Sequence, residues 1–329
     1  MRADWVAPSV RARSMAQRRV GAGTCRNLAE LPDLPAAVET LDGSLYAGEL
    51  SSARTLDSAQ QATRTTVLWQ LRVLAGWLPA GGTQLIRAAA ARFEADNIVA
   101  LAAALQADAA PATPAGAAAS AGAAGTGTPA VSSPAPAFDL GGLATAWPRL
   151  RTADSPETLQ AMLASSPWGE AGQAPALPDL LTAVWLRRLA SAAPAARPWA
   201  VAGAVLLAAR LLLVDAARPP ERLVSLLRPL IGTGWTEAGS LPELTQALSP
   251  AAGQVLAEVQ DPQELWQAEA RLAVRVEADG FDLLRAGLPG PDVVLGAMAV
   301  LAVDAWRVRA ALAAAAAGTG RSEVLDAVA

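Results

Sequence analysis

A chain of 329 residues in which hydrophobic side chains make up 53%, much of that alanine, and aromatics only 4% favours helix. Ala and Leu propagate helices, and the β-branched and aromatic residues that fill sheets are sparse, so the fold class reads as all-α. The net charge of −4 argues against general nucleic-acid binding, the absence of His removes imidazole base catalysis and imidazole metal ligation, and the single cysteine, Cys25, allows no intramolecular disulfide, which fits a cytoplasmic home.

The first predicted helix, Val10–Arg18, belongs to a basic stretch with Arg11, Arg13, Arg18, Arg19 and, beyond it, Arg26. Such a run reads either as a solvated helix face or as a surface turned to an acidic partner or anionic lipid headgroups. No apolar core follows it, so the N-terminus does not read as a secretory signal. Leu34–Leu41 is a second short helix whose first turn holds Pro35, a position that tolerates the missing N–H. The turn Leu45-Tyr46-Ala47-Gly48-Glu49-Leu50 follows and contains the only tyrosine of the chain. Gly48 permits a bend there. Tyr46 either buries its ring against the next helices or meets a partner with the rest of the loop, and Glu49 either pairs with a neighbouring helix or shares that contact.

Two longer helices are predicted next, Asp57–Leu78 and Gln84–Gln106, the second carrying Asp96 and Asn97 in its interior. Both residues have mediocre helix propensity, so they are expected to reach across to a neighbouring helix or its terminus in a structural role. Asp108–Ala137 is almost entirely Ala, Gly, Pro, Ser and Thr, with Val131 its only large aliphatic residue. It cannot bury enough surface to offset its ordering entropy and reads as a disordered linker.

After Phe138 the pattern of short helices before long ones recurs. Leu143–Leu150 and Ser155–Leu163, with Ser155 a candidate N-cap, precede the pair Pro178–Ala192 and Arg197–Ala217. Glu221–Ile231 and Ser240–Leu248, with Ser240 and Glu243 a candidate capping box, precede the pair Pro262–Ala286 and Pro291–Ala316. The chain is therefore expected to hold three related helical units, 1–107, 138–218 and 219–329, with the linker 108–137 between the first two. Trp69, Trp77, Trp147, Trp168, Trp185, Trp199, Trp235, Trp266 and Trp306 recur through all of them and read as core anchors in alanine-rich bundles. Arg210 and Asp215 interrupt the most apolar run, Trp199–Ala217, and Asp304 interrupts Pro291–Trp306, so both read as buried helices rather than membrane spans. Acidic residues are scattered and no Walker-type phosphate loop is present, so no catalytic residue, cofactor or metal ligand is expected.

The Tyr-Ala-Gly-Glu-Leu turn, the helix pair behind it and Asp96-Asn97 ahead of the apolar run Ile98–Leu101 resemble the first structural repeat of a component of the A/V-type (vacuolar-type) rotary ATPases. That component is the adaptor between the central stalk and the rotor ring, known in the eukaryotic vacuolar enzyme as the d subunit. The threefold order of short and long helices is similar to that family too. The likeness is best over 8–106 and 262–316. The middle unit lacks the Asp-Asn pair, and the last has Ala302-Val303-Asp304-Ala305-Trp306-Arg307 where the family tends to carry Lys-Glu-x-Glu. The resemblance implies three helical bundles around a central funnel. It implies a non-catalytic subunit that joins the central stalk to the membrane rotor ring, takes part in proton or other ion transport, and sits on the inner face of the membrane only through the complex. No nucleic acid and no small-molecule substrate is implied. Candidate partner-facing residues are Arg11, Arg13, Arg18, Arg19, Tyr46 and Glu49. The alternative is an α-helical repeat scaffold for an unrelated protein partner.

Overall fold

The computed structural model describes residues 3–109, 136–170, 172, 174–285 and 287–327, and every regular element among them is helical. The N-terminal part holds α1 (Val6–Gln17), α2 (Ala22–Ala29), α3 (Leu34–Thr40), α4 (Ala47–Leu50), α5 (Leu56–Ala75) and α6 (Thr83–Ala109). The middle part holds α7 (Trp147–Leu150), α8 (Pro156–Ala164), α9 (Leu177–Ala192) and α10 (Arg197–Ala209), the last running into a π-helical turn, Arg210–Val214. Then come α11 (Glu221–Ile231), α12 (Leu241–Ala247), α13 (Pro250–Gly253), α14 (Leu265–Arg285), α15 (Pro291–Ala317) and α16 (Glu323–Asp326). Every helix expected from the sequence occurs within a few residues of its expected bounds, and α2, α4, α13 and α16 are additional. Helix α6 takes in Asp108 and Ala109, the first two residues of the expected linker; residues 110–135 of that linker lie outside the described residues.

Three short helices start in the same way. Asp33 Oδ1 accepts from Ala36 N at 2.9 Å, Ser155 Oγ from Thr158 N at 3.2 Å and Ser240 Oγ from Glu243 N at 3.4 Å. Each cap satisfies a donor that the first turn leaves without an intrahelical partner, and Pro35, Pro156 or Pro242 stands just behind it. The expected capping box at Ser240 is only half formed: Glu243 Oε2 accepts from Gly239 N at 2.8 Å, one residue upstream of the cap. A complete box forms instead at α5, between Thr55 and Ser58.

The buried apolar side chains form three clusters, and each joins a set of short helices to long helices from elsewhere in the chain. Helices α7 and α8 pack on α6, which precedes them. Helix α11 packs on α9 and α10, and α13 on α10. Helices α1, α2 and α3 pack on α15, close to the other end of the chain. The packing therefore crosses the sequence boundaries at 107, 138 and 219, because a short amphipathic helix must bury its apolar stripe against whichever long helix offers a matching face. Of the tryptophans, Trp168 and Trp235 are fully buried, but Trp69 on α5 and Trp77 in the turn after it are 50% and 52% exposed, a correction to their reading as core anchors.

Helix α15 is apolar on nearly every side and is correspondingly enclosed, from Val293 to Ala315. It meets α14 at two glycines: a methyl added to Gly296 would stand 2.5 Å from the Gly280 carbonyl oxygen and 2.9 Å from Leu283 Cβ. The stretch Pro194–Val214 is long and apolar enough to cross a membrane by length and composition, and 56% of that window is buried against the protein's own helices. Gly296→Ala is expected to cost about 1–3 kcal/mol of stability through overpacking, read as a lower urea midpoint. Gly23→Ala on α2, where an added methyl meets no atom within 4 Å, is expected to leave the midpoint unchanged or raise it.

Candidate functional site: two carboxylate anchors and a central cavity

Two acids buried in the middle of long helices hold the short helices in place. Asp304 of α15 is fully buried and accepts from Val20 N at 3.1 Å, Gly21 N at 2.7 Å and the Tyr46 hydroxyl at 2.9 Å. Gly21 opens α2 with φ +85°, a backbone conformation that glycine adopts without steric cost, and this brings two successive N–H groups onto one carboxylate. Glu94 of α6 is also fully buried and accepts from the backbone N of Thr145, Ala146 and Trp147 at 2.9, 2.7 and 2.6 Å, from the Thr145 hydroxyl, and from Trp168 Nε1 at 3.3 Å. The parallel extends to the aromatic donors. Tyr46 N and Trp168 N each donate at 3.1 Å to a serine two residues earlier, Ser44 and Ser166.

Burial, and then the Asp304 charge, push the Tyr46 hydroxyl well above its usual range, which keeps it a donor. Burial pushes the neighbouring Cys25 thiol up to about 12, with Asp304 adding to the effect and Arg307 opposing it. Arg307 is itself 3% exposed and grips Glu277 of α14 through two bonds of 2.5 and 2.7 Å.

These contacts decide the place of the residues singled out from sequence. Tyr46 is wholly buried, so it cannot meet a partner, and the partner-facing expectation for it is corrected. Glu49 is exposed in α4. Asp96 pairs with Arg64 of α5 and lies 3.4 Å from Arg92, while Asn97 exchanges two hydrogen bonds with the Phe138 backbone, at 2.9 and 2.7 Å. That exchange fixes the chain where it re-enters the described structure. Of the four arginines expected to face a partner, Arg18 is the exposed one. Arg11 and Arg13 are half-buried, with Arg13 Nε donating to the Leu284 carbonyl at 3.0 Å, and Arg19 lies over the Phe281 ring at 4.7 Å. The exposed basic face is thus narrower than the sequence suggested, because Arg13 and Arg19 fold against the end of α14.

Where the three long helix pairs meet, they line a half-open cavity of about 480 Å³. Helices α5 and α6 contribute Arg64 and Arg92, α9 and α10 contribute Trp185 and Trp199, and α15 contributes Trp306 and Arg309. Among the described residues no acidic side chain lines it. Alanines of α15 at 299, 302 and 305 leave the space open, and Trp199 is fixed by its Nε1–H donating to Asp279 Oδ2 at 2.8 Å. The sequence reading missed both anchors and the residues that line the cavity. Glu94 and Asp304 share one local signal, an acid inside an alanine-rich helix that is followed at once by alanine.

Compared with models of known protein families and with curated proteins, the chain matches none. Among the described residues no group of three or more His, Cys, Asp or Glu stands ready to hold a metal ion. The chemistry that the cavity offers is recognition by cations and apolar rings.

Asp304→Ala leaves the buried Tyr46 hydroxyl and the part-buried N–H groups of Val20 and Gly21 without their acceptor; at roughly 1–3 kcal/mol for a buried group and less for a part-buried one, chemical denaturation is expected to show a loss of about 3 kcal/mol. Tyr46→Phe removes only one donor from a carboxylate that keeps two, and should cost about 1–2 kcal/mol. Equal losses for the two variants would show that Asp304 is not the anchor. Cys25 should resist alkylation at pH 8 until urea unfolds the chain. Its folded thiol titrates above the unfolded one, so the stability it contributes is complete below the ordinary cysteine range, near ~8.5, and is lost as pH rises towards about 12.

Proposed function

We propose that the chain is a non-catalytic adaptor subunit of a V/A-type rotary ATPase, equivalent to the d subunit of the eukaryotic vacuolar enzyme. It couples the central stalk to the membrane rotor ring during ion translocation, and it is cytoplasmic and membrane-associated only through the complex. One observation carries the reading: the first set of short helices packs on the last long pair, as the second set packs on the first pair and the third on the second. Three related units then run head to tail around the cavity, which serves as the funnel expected from the resemblance. Such closure suits torque transfer, since a ring of packed helices with no free end resists shear better than an open row. The paired carboxylates Glu94 and Asp304, each tying backbone N–H groups of a short helix set to a long helix, support the same head-to-tail repeat. Arg18, Arg26 and Glu49 remain exposed and open to a partner.

The purified chain, mixed with a stalk heterodimer and a detergent-solubilised rotor ring of this ATPase class, should elute with both as one complex. It should hydrolyse no ATP alone. Failure to bind either partner at any salt concentration would leave only the unrelated-scaffold reading.

A further inference from the structure

The lining of the central cavity combines two kinds of side chain. Arg64 of α5, Arg92 of α6 and Arg309 of α15 are its charged members, and every other residue that lines it is aliphatic, aromatic or glycine. Asp96 serves both Arg64 and Arg92, so three guanidinium groups share one carboxylate. Arg309 is the one of the three that pairs with no acid among the described residues. Its Nε donates to Gln60 Oε1, and Gln60 Nε2 returns a bond of 2.9 Å to the Arg309 carbonyl. Gln60 thereby holds the guanidinium by one side and leaves its Nη1–Nη2 edge without a protein acceptor among the described residues. Burial lowers the proton affinity of Arg309, and Arg64 and Arg92 lower it further against the opposing charge of Asp96. An anion at that edge would relieve a crowded set of cations in a partly desolvated place, where it gains more than in water.

Opposite the arginines, Leu186 and Leu189 of α9 and Leu272 and Val276 of α14 offer an aliphatic surface. An inorganic anion would meet the cations and leave that surface wet. A neutral apolar molecule would cover the surface and leave the Arg309 edge unpaired. The occupant that meets both demands is an amphiphile with one acidic head and one aliphatic chain. The cavity, at about 480 Å³, lies within the range of about 300–1,000 Å³ of small-molecule sites, which are likewise apolar with a few placed polar groups. The two parallel N–H groups on the free edge of Arg309 match the two oxygens of a carboxylate.

We infer that the cavity binds an aliphatic monocarboxylate, with its carboxylate on the free edge of Arg309 and its chain along Leu186, Leu189, Leu272 and Val276. The inference rests on the lining of the cavity alone. It goes beyond the adaptor reading, which neither requires it nor falls with it.

The test is calorimetric titration of the full chain with decanoate at neutral pH, beside octanoate, decanol and inorganic phosphate. Decanoate should saturate one site per chain. Octanoate, shorter by two methylenes, should bind about 10-fold more weakly, since each buried methylene contributes about 4-fold. Decanol and phosphate should each bind at least about 10-fold more weakly than decanoate, the first for want of the charge-assisted bonds and the second for want of the chain. Arg309→Gln should weaken decanoate binding by about 10-fold or more and leave decanol unaffected. Ala302→Phe, at an exposed position of α15 that lines the cavity, fills the space without removing a charge. It should abolish decanoate binding, and it keeps the test open should Arg309→Gln fold poorly. Phosphate binding as tightly as decanoate would reduce the site to a plain anion site, and decanol binding as tightly would reduce it to an apolar cleft; either result overturns the proposal. So does wild-type affinity in a folded Arg309→Gln or Ala302→Phe chain, or the absence of saturable decanoate binding by the wild type.

Discussion

The Asp304 carboxylate is the constraint on which the rest of the arrangement depends. It lies inside α15, a helix with almost no polar face, and a charge in such a place is tolerable only if hydrogen bonds replace its lost water. The three donors come from residues 20, 21 and 46, so meeting the need of one side chain draws the first short helices onto the last long helix. Burying α15 requires that cover, and the cover is positioned by Asp304. Arg307, one turn further along, has its buried charge met in the same way by Glu277, which locks α14 to the opposite side.

Glu94 repeats the device between α6 and the segment entering α7, with Trp168 where Tyr46 stands in the first case. The third joint is built differently. Helix α10 contains no acidic residue, and the α11–α13 region is held to it and to α9 by fully buried Leu223, Leu227, Trp235 and Leu244. There α10 ends in a π-helical turn whose Arg210 engages Asp179 and Asp215, followed by Ala216 at φ +48°. Two joints are thus specified by directional hydrogen bonds, and one by apolar fit that tolerates more adjustment.

The cavity follows from the same packing. Each long helix pair packs against a set of short helices, and the three pairs leave a gap where they meet. The small side chains on α15 widen the gap, and the tryptophans stand along its walls rather than filling it. Asp96 of α6 reaches across to Arg64 of α5 and lies beside Arg92 one turn back on its own helix.

Helix content, the order of short and long helices, and the proline-followed caps at Ser155 and Ser240 were all legible in the chain itself, because each depends on residues within a few positions of one another. So was the inward, structural use of Asp96 and Asn97, whose poor fit to a helix interior signals a partner elsewhere. The identity of that partner was not legible: nothing local says that Asn97 meets the Phe138 backbone across the undescribed stretch, or that Tyr46 is buried against an aspartate 258 positions away. Nor does local pattern distinguish an arginine whose stem lies over a neighbouring helix, as at Arg13, from one in open water, as at Arg18. Sequence determined the helices because helix formation is a short-range equilibrium. Only the tertiary structure decided which helix covers which and where charges lie together, because burial and the pairing of desolvated groups depend on neighbours that the chain supplies from far along its length.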